Sequence, residues 1–391
     1  MSGNIINTIV KGPLWLLNCM ALIILFTLLF TCAPIILIED HEPLPTAYAL
    51  KSEKPFADTS KLFPPSEKPG NEQSHGAKLT PRLVGSIFLW LARKTSSHPY
   101  LPATLFGIIY LLAGLLVAYR ITGDRVVGLF TGLLFSGLYT ASACFALNWM
   151  PKPFDGVAVG LLGLTLLAIN RPWWLLLAAF LSCWTDERTI IALFFIAVVV
   201  FAWPSMAARA RYVRCAILAG AVVLYAITRV ILASALGWSS PDTSMIGVPL
   251  TLSASASQLA AWSIFEGGWI PVTCSLWLLL KRRSYPMLAF FTVSLVVALA
   301  TSLVVLDVSR SGMFSFPLIL AAISIMKCSN IEPGEMRRII GWSAGITLLA
   351  PNFEVIMGVI VQWLPSYFVY ILTNTEIFRS YVHQIVPIFP Q

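Results

Sequence analysis

Charged residues are scarce in this 391-residue chain. Asp, Glu, Lys and Arg together make up 11% of the sequence, whereas apolar residues make up 58%. One soluble core could not bury that much apolar surface, so a soluble globular protein is excluded. The mean hydropathy is +0.81, and apolar runs near the ~20 residues that cross a bilayer recur along the chain. The composition therefore predicts an all-α polytopic membrane protein with a single transmembrane domain over residues 1–391.

Cysteine and histidine are also sparse, and their placement excludes several kinds of site. The cysteines have no close pairing and lie mostly within apolar runs, which excludes a disulfide framework and a zinc site; they are Cys19, Cys32, Cys144, Cys183, Cys215, Cys274 and Cys328. No histidine lies in an apolar run where it could serve acyl transfer; the histidines are His41, His75, His98 and His383.

Basic residues occur in short clusters between apolar runs. The formal net charge of +8 therefore indicates membrane topology and not nucleic-acid binding. About eleven spans are predicted, at roughly 14–38, 101–119, 126–149, 156–170, 172–186, 189–203, 215–236, 267–280, 286–306, 313–326 and 339–363. With a cytoplasmic N-terminus, five basic linkers fall on the cytoplasmic side; they are YRITGDR, NRPWW, SMAARARYVR, KRRSYP and KCSNIEPGEMRR.

Acidic residues collect on the opposite, extracytoplasmic side, next to apolar runs. An unpaired charge is expensive there, so these residues are expected to converge on a shared polar cavity together with nearby arginines. The candidate site residues are Glu39, Asp40, Asp155, Asp186, Glu187, Arg188, Arg229, Glu266, Asp307 and Arg310. Such a cavity suits an anionic, lipid-linked substrate.

Each of these features also has a purely structural interpretation. Asp186–Arg188 is compatible with a solvated hairpin turn that caps the next helix, and Asp155 with an N-cap. Asp307 and Arg310 have the i, i+3 spacing of a weak surface pair. Arg229 is compatible with a side chain that snorkels to the interface, although a buried guanidinium needs a partner. These alternatives stay open at the level of sequence.

The long loop over residues 39–100 contains two different segments. Its first part is rich in Pro, Lys, Glu and Ser and predicts an irregular loop. Its last part, TPRLVGSIFLWLARK, has a helix-start signal and an apolar face, with basic residues near its ends. This pattern predicts an extracytoplasmic interfacial helix at about residues 80–95 that lies on the membrane.

Together, the acid after the first span, the loop with a membrane-lying helix, the dozen or so spans and the charges at outer loop tips resemble the GT-C superfamily of membrane glycosyltransferases. The segments PFDGVAVGLLGLTLLA, TDERTIIAL and LDVSRSGMFSFP are also similar to those of bacterial integral membrane proteins with that layout. The resemblance implies a bacterial cytoplasmic (inner) membrane enzyme of the cell envelope that takes a sugar from a polyprenyl-phosphate donor on the outer face.

The resemblance also implies a general base in the first outer loop, which would be Asp40 or, failing that, Glu39. This chain has Glu39-Asp40 where better-known members have Asp-Asp or Asp-Glu. Transfer from a phosphate to a hydroxyl needs a base and cations for the leaving phosphate. Arg188, Arg229 and Arg310 would hold the phosphate, and the other acids would orient them or bind sugar hydroxyls.

Other functions and a metal are open alternatives. The chain could be another lipid-linked transferase, a polymerase of cell-envelope glycans, or a transporter or flippase of a lipid-linked or anionic substrate. A transporter usually places its charges near the bilayer midplane and often has internal repeats, which this sequence does not show. A divalent cation, Mg²⁺ or Mn²⁺, could bridge carboxylates and phosphate, and the segment EDHEP is a weak metal candidate because it has one histidine. The acceptor is not indicated.

Overall fold

The described part of the chain is predominantly helical, as its composition predicts. A computed structural model describes residues 10, 12–30, 32–34, 82–94, 101–144, 153–236, 254–303, 308–350, 352–356 and 359–365. In chain order the helices are α1 (Trp15–Phe30), α2 (Leu83–Lys94), α3 (Leu101–Thr122), α4 (Arg125–Gly137), α5 (Tyr139–Cys144), α6 (Pro153–Leu167), α7 (Pro172–Cys183), α8 (Thr189–Ala202), α9 (Ala208–Leu236), α10 (Ala254–Phe265), α11 (Trp269–Lys281), α12 (Tyr285–Leu303), α13 (Val308–Gly312), α14 (Pro317–Cys328) and α15 (Pro333–Leu349). The 3₁₀ turns Glu266–Gly268 and Met313–Ser315 join α10 to α11 and α13 to α14.

Five helical stretches in the described residues are long and apolar enough to cross a membrane. They are Leu101–Thr122, Ala208–Ala235, Gln258–Lys281, Tyr285–Leu303 and Arg310–Cys328. Other predicted spans coincide with shorter apolar helices, such as α7 with 12 residues and α6 with 15. Helices of that length extend roughly 18–22 Å, less than the ~30 Å hydrocarbon core. Eleven complete crossings therefore stay a prediction.

A small antiparallel sheet is present that the sequence did not predict. Its strands are β1 (Cys32–Pro34), β2 (Asn352–Ile356) and β3 (Val359–Pro365), in the order β1-β3-β2. The predicted first and last spans, 14–38 and 339–363, are therefore helical only as far as Phe30 and Leu349. At the second boundary Ala350 is extended, as expected for a residue before proline, because the ring of Pro351 disfavours a helical residue in front of it.

Close packing of α3 against α6 depends on a glycine. A Cβ added at Gly160 would lie 2.4 Å from the Cβ and 2.5 Å from the carbonyl oxygen of Phe106, so a larger residue would force the helices apart. Small residues at helix interfaces let backbones approach in this way in membrane proteins. The first turn of α6, with Asp155, is thereby held against the start of α3.

Basic linkers meet at one end of the bundle, called here the basic end. Arg120 donates to the carbonyl of Leu167 at 2.8 Å, Arg214 donates to that of Ile169 at 2.8 Å, and Arg282 donates to that of Cys328 at 3.2 Å. Guanidinium groups thus satisfy free carbonyls at helix C-termini, where cations are favoured. The opposite end, at which α6 begins, is called the distal end.

Opposite membrane sides are expected for the two ends. Because the basic linkers share one end, single cysteines introduced at positions 60 and 283 should label from opposite sides of intact membrane vesicles. Impermeant maleimide would measure this, with detergent-opened vesicles as the control in which both positions react. Labelling of both positions from one side would contradict the predicted topology.

Helix α2 matches the position of the predicted interfacial helix, and it packs onto the distal end. The backbone N–H of Val84 donates to the carbonyl of Trp184 at 3.3 Å. A Cβ at Gly85 would lie 2.0 Å from the ring of Phe154, so only glycine permits this approach. Contact with the membrane surface stays a prediction for α2, but its first turn is fastened to the bundle.

Candidate functional site

Asp155 lies in the first turn of α6 and is completely buried. Its carboxylate accepts hydrogen bonds from Arg188 Nη2 at 2.9 Å and from Nη2 of Arg310 at 2.9 Å. Nε of Arg310 also donates to it, so the Arg310 contact is a two-point fork. A charged carboxylate in this place requires such partners. Asp155 therefore joins two segments that are 33 and 155 residues away from it in sequence.

Asp186 organises the turn between α7 and α8. Its Oδ1 accepts from the backbone N–H of Arg188 at 3.0 Å and from the Nε of the same residue at 2.9 Å. Arg82, just before α2, approaches Oδ2 at 3.1 Å. Asp186 is thus both a turn cap and an ion-pair partner of two arginines.

These residues form one group, called here the Arg–Asp cluster, with the members Arg82, Asp155, Asp186, Arg188 and Arg310. Both carboxylates are fully buried, whereas the guanidinium side chains keep exposed fractions of 12% for Arg82 and 21% for Arg188 and Arg310. The Arg188 guanidinium also lies 4.8 Å from the ring centre of Phe314. Three arginines thus surround two buried aspartates, and each arginine side chain keeps a small exposed fraction.

A second ion pair lies beside this cluster. Arg229 Nη1 is 2.6 Å from Glu187 Oε1 and donates to the hydroxyl of Tyr225 at 2.5 Å. The aliphatic neighbours of Arg229 are exposed, with Val230 at 66%. Arg229 therefore lies at the edge of the buried face of α9 that carries Tyr225, next to exposed apolar residues, and it pairs with Glu187 instead of standing alone.

Glu266 is a further buried acid, and its hydrogen bond goes to the start of α5. It is buried in the 3₁₀ turn between α10 and α11, with a φ of 48°. Its Oε1 accepts from the backbone N–H of Tyr139 at 3.0 Å. A positive φ is costly for a residue other than glycine. Glu266 therefore ties the helix break to the start of α5.

Glu39, Asp40 and Asp307 lie outside the described residues. Backbone positions near them are known: β1 ends at Pro34, and α13 begins at Val308. Strand β1 packs against α5, and β2 packs against α10 and α13, so the sheet belongs to the distal end. In the part of the chain that the structure describes, no group of three or more His, Cys, Asp or Glu residues could hold a metal ion.

Arg82 is the cluster member that the sequence did not indicate. The sequence places it only at the basic end of the predicted interfacial helix. A cation directly before a helix N-terminus interacts unfavourably with the helix dipole. This position therefore indicates that Arg82 needs an acidic partner on another element. Its partner could not be identified from sequence because Asp186 is on a different element.

Comparison with protein-family models, with curated proteins and with solved structures finds no match to this chain. The functional interpretation therefore depends on the geometry and charges described above.

Proposed function

We propose that this chain is a membrane glycosyltransferase that moves a sugar from a polyprenyl-phosphate-linked donor to an acceptor on the extracytoplasmic face of the membrane. The observation that carries the proposal is the Arg–Asp cluster, in which three partly exposed arginine side chains pair with two buried carboxylates at the distal end. Rigid guanidinium forks suit the oxygens of a phosphate. The end that bears the cluster is the one predicted to be extracytoplasmic.

The two aspartates of the cluster position its arginine side chains. Asp155 holds Arg310 and Arg188 by hydrogen bonds of 2.9 Å, and Asp186 holds Arg188 from the other side. Preorganised cations lower the cost of a developing negative charge, because they need not reorient during the reaction. Arg188 and Arg310 are therefore assigned to the donor phosphate, and Asp155 and Asp186 to the orientation of these arginines.

The general base is assigned to Asp40, with Glu39 as the second choice. The base would remove the proton of the acceptor hydroxyl as its oxygen attacks the anomeric carbon. The bond from that carbon to the phosphate oxygen breaks, and the lipid phosphate leaves with the bonding electrons. Asp40 is six residues after Pro34, a reach of at most about 20 Å. This tether to the sheet at the distal end supports the assignment.

The remaining residues have supporting roles in the proposal. Glu187 with Arg229 would extend the polar surface toward the lipid face, and Asp307, three residues before Arg310, would bind sugar hydroxyls. A Mg²⁺ or Mn²⁺ ion that bridges carboxylates and the phosphate is an optional part of the proposal. The mechanism does not require it, because Asp155 and Asp186 already have arginine partners. Localisation in a bacterial inner membrane is likewise proposed.

Transport of a lipid-linked or anionic substrate is the second candidate function. It is favoured by one observation, the break between α10 and α11 at a buried acid, Glu266. Broken helices with charged groups are typical of transporter binding sites. The Arg–Asp cluster, by contrast, lies at helix ends on one side of the bundle, which favours the transferase.

Sugar transfer in proteoliposomes tests the proposal directly. Purified protein would be supplied with polyprenyl-phosphate donors that carry radiolabelled sugars and with a mixture of envelope glycan acceptors. We expect labelled product from the wild type and a loss of at least about tenfold for Arg310→Lys, because lysine lacks the bidentate fork. Arg337→Lys is the matched control, since Arg337 pairs with Asp124 at the basic end. Movement of the intact donor across the bilayer without transfer would replace this function with transport.

Arg229→Leu is expected to leave the protein folded and to weaken binding of polyprenyl phosphate. The Arg229–Glu187 pair is partly exposed, with fractions of 27% and 33%, so its loss should cost about 0–1 kcal/mol of stability. Arg229→Lys should restore part of the binding, and Tyr225→Phe, which keeps the guanidinium, is the control. Binding of labelled lipid to purified variants is the measurement. Unchanged binding by a folded Leu variant would leave Arg229 a purely structural residue.

A further inference from the structure

A cavity at the basic end is not used by the proposed transfer chemistry. Its volume is about 740 Å³, and the residues that line it come from α8, α9, α11, α12, α14 and adjoining turns. Specific ligand pockets are typically about 300–1,000 Å³, so this cavity is large enough for part of an amphiphile. It lies where the basic linkers meet, at the end of the bundle opposite the Arg–Asp cluster.

The charged lining of the cavity is entirely basic. Arg211 and Arg282 contribute to it, and no Asp or Glu is among the described residues that line it. Arg211 donates to the carbonyl of Trp203 at 2.9 Å, while its Nε is buried without a hydrogen-bond partner in the described part of the chain. An unsatisfied buried donor of this kind is costly. An anionic oxygen that reached it would remove the cost.

The remaining walls are largely apolar. Phe201, Phe290 and Met287 line one part, and Leu279 and Ile325 line another. A soluble phosphate has no use for such a surface, whereas an acyl chain gains about 25 cal/mol for each Å² that it buries there. Neighbouring side chains also face outward from the bundle; Trp277 and Leu280 have exposed fractions of 57% and 59%. The cavity therefore joins a cationic part to apolar walls.

We propose that this cavity binds an anionic phospholipid, with the phosphodiester headgroup at Arg211 and Arg282 and an acyl chain along Phe201, Met287 and Phe290. Basic pockets between transmembrane helices on the cytoplasmic side suit such headgroups, because that leaflet carries anionic lipids and guanidinium groups pair with phosphate. The proposal needs only the predicted orientation of the basic end and does not depend on the transferase function.

Cys328 is a built-in reporter for this site. Its side chain is exposed and lines the cavity, and its Sγ lies 3.4 Å from the carbonyl oxygen of Ala202. The protein would be placed in nanodiscs of phosphatidylcholine alone or with phosphatidylglycerol, and maleimide labelling of Cys328 would be followed by peptide mass spectrometry. At a lipid excess near 9 Kd, simple occupancy predicts an approximately tenfold slower reaction. Equal rates in the two kinds of disc would overturn the proposal.

Variants separate the contribution of each wall. Arg211→Gln with Arg282→Gln should abolish the difference in labelling rate between the two kinds of disc, whereas Arg171→Gln with Arg209→Gln, two exposed arginines of the same end outside the cavity lining, should leave that difference in place. If the first pair fails to fold, Met287→Trp fills the apolar part with the charges intact and should also abolish protection by lipid. Protection that survives Met287→Trp would overturn the assignment of the acyl chain.

Soluble anions distinguish the source of the phosphate. Inorganic phosphate and glycerol phosphate would be added to phosphatidylcholine discs in place of the anionic lipid. We expect neither to protect Cys328, because neither can use the apolar wall. Protection equal to that by phosphatidylglycerol would make the cavity a site for a soluble phosphate and would refute lipid binding.

Discussion

Asp155→Asn is expected to destabilise the protein by about 3–5 kcal/mol, the usual cost of removing one partner from a buried ion pair. The carboxylate is fully buried, and it accepts hydrogen bonds from Arg188 and Arg310. Asparagine has the same shape, but it leaves two guanidinium groups next to each other without the negative charge that they share. Chemical denaturation in detergent, followed by tryptophan fluorescence, measures the change in the free energy of unfolding.

A matched control for this change lies at the basic end. Arg337→Gln removes a pair with Asp124 in which the arginine is 49% exposed, so the expected cost is about 0–1 kcal/mol. A double variant, Asp155→Leu with Arg310→Met, should recover part of the lost stability, because it removes the unpaired charge as well as its partner. An Asp155→Asn protein as stable as the wild type would show that the cluster does not hold the distal end together.

Asp40→Asn is expected to lower sugar transfer by about 10²–10⁴-fold, the usual contribution of a general base. A carboxamide has nearly the same shape as a carboxylate, but it cannot accept the acceptor proton. Folding and binding of the donor should change little, since the phosphate is assigned to Arg188 and Arg310. The measurement is transfer of labelled sugar from a polyprenyl-phosphate donor in membranes that contain each variant.

Glu42→Gln, two residues farther along the loop, is the control and should have a mild effect. If Asp40→Asn keeps near-normal transfer, Glu39 would be the general base instead. Asp155 is a poor candidate for the general base, because its carboxylate already accepts hydrogen bonds from the guanidinium groups of Arg188 and Arg310. Near-normal transfer by Glu39→Gln as well would eliminate the proposed mechanism.

Some of the distal site could be anticipated from the sequence. Charges beside apolar runs at Asp155, Asp186, Arg188 and Arg310 indicated a shared polar region, because burying each of them alone is expensive. The structure brings these four together, and it also resolves an alternative: Asp186 caps its turn and forms ion pairs at the same time. Arg229 pairs with Glu187 beside the cluster, whereas Glu266 has its own contact with Tyr139.

By itself, the sequence determined the helical class and the separation of basic linkers from acidic loop tips. Both properties follow from the cost of moving polar groups out of water, which acts on every apolar run and on every charge independently of its neighbours. Both properties can therefore be predicted from the sequence of one chain.

Only the tertiary structure decided which charges are partners and which segments pair in the sheet. Arg310 reaches Asp155 across 155 positions, and Arg82 reaches Asp186 from the residue just before a helix that packs onto the bundle end. The hairpin of β2 and β3 also gains a third strand from residues near the other end of the chain, since Ala33 pairs with Leu364. Contacts of this kind depend on distances in space between segments that are far apart in sequence, and such distances are set by the packing of the whole bundle.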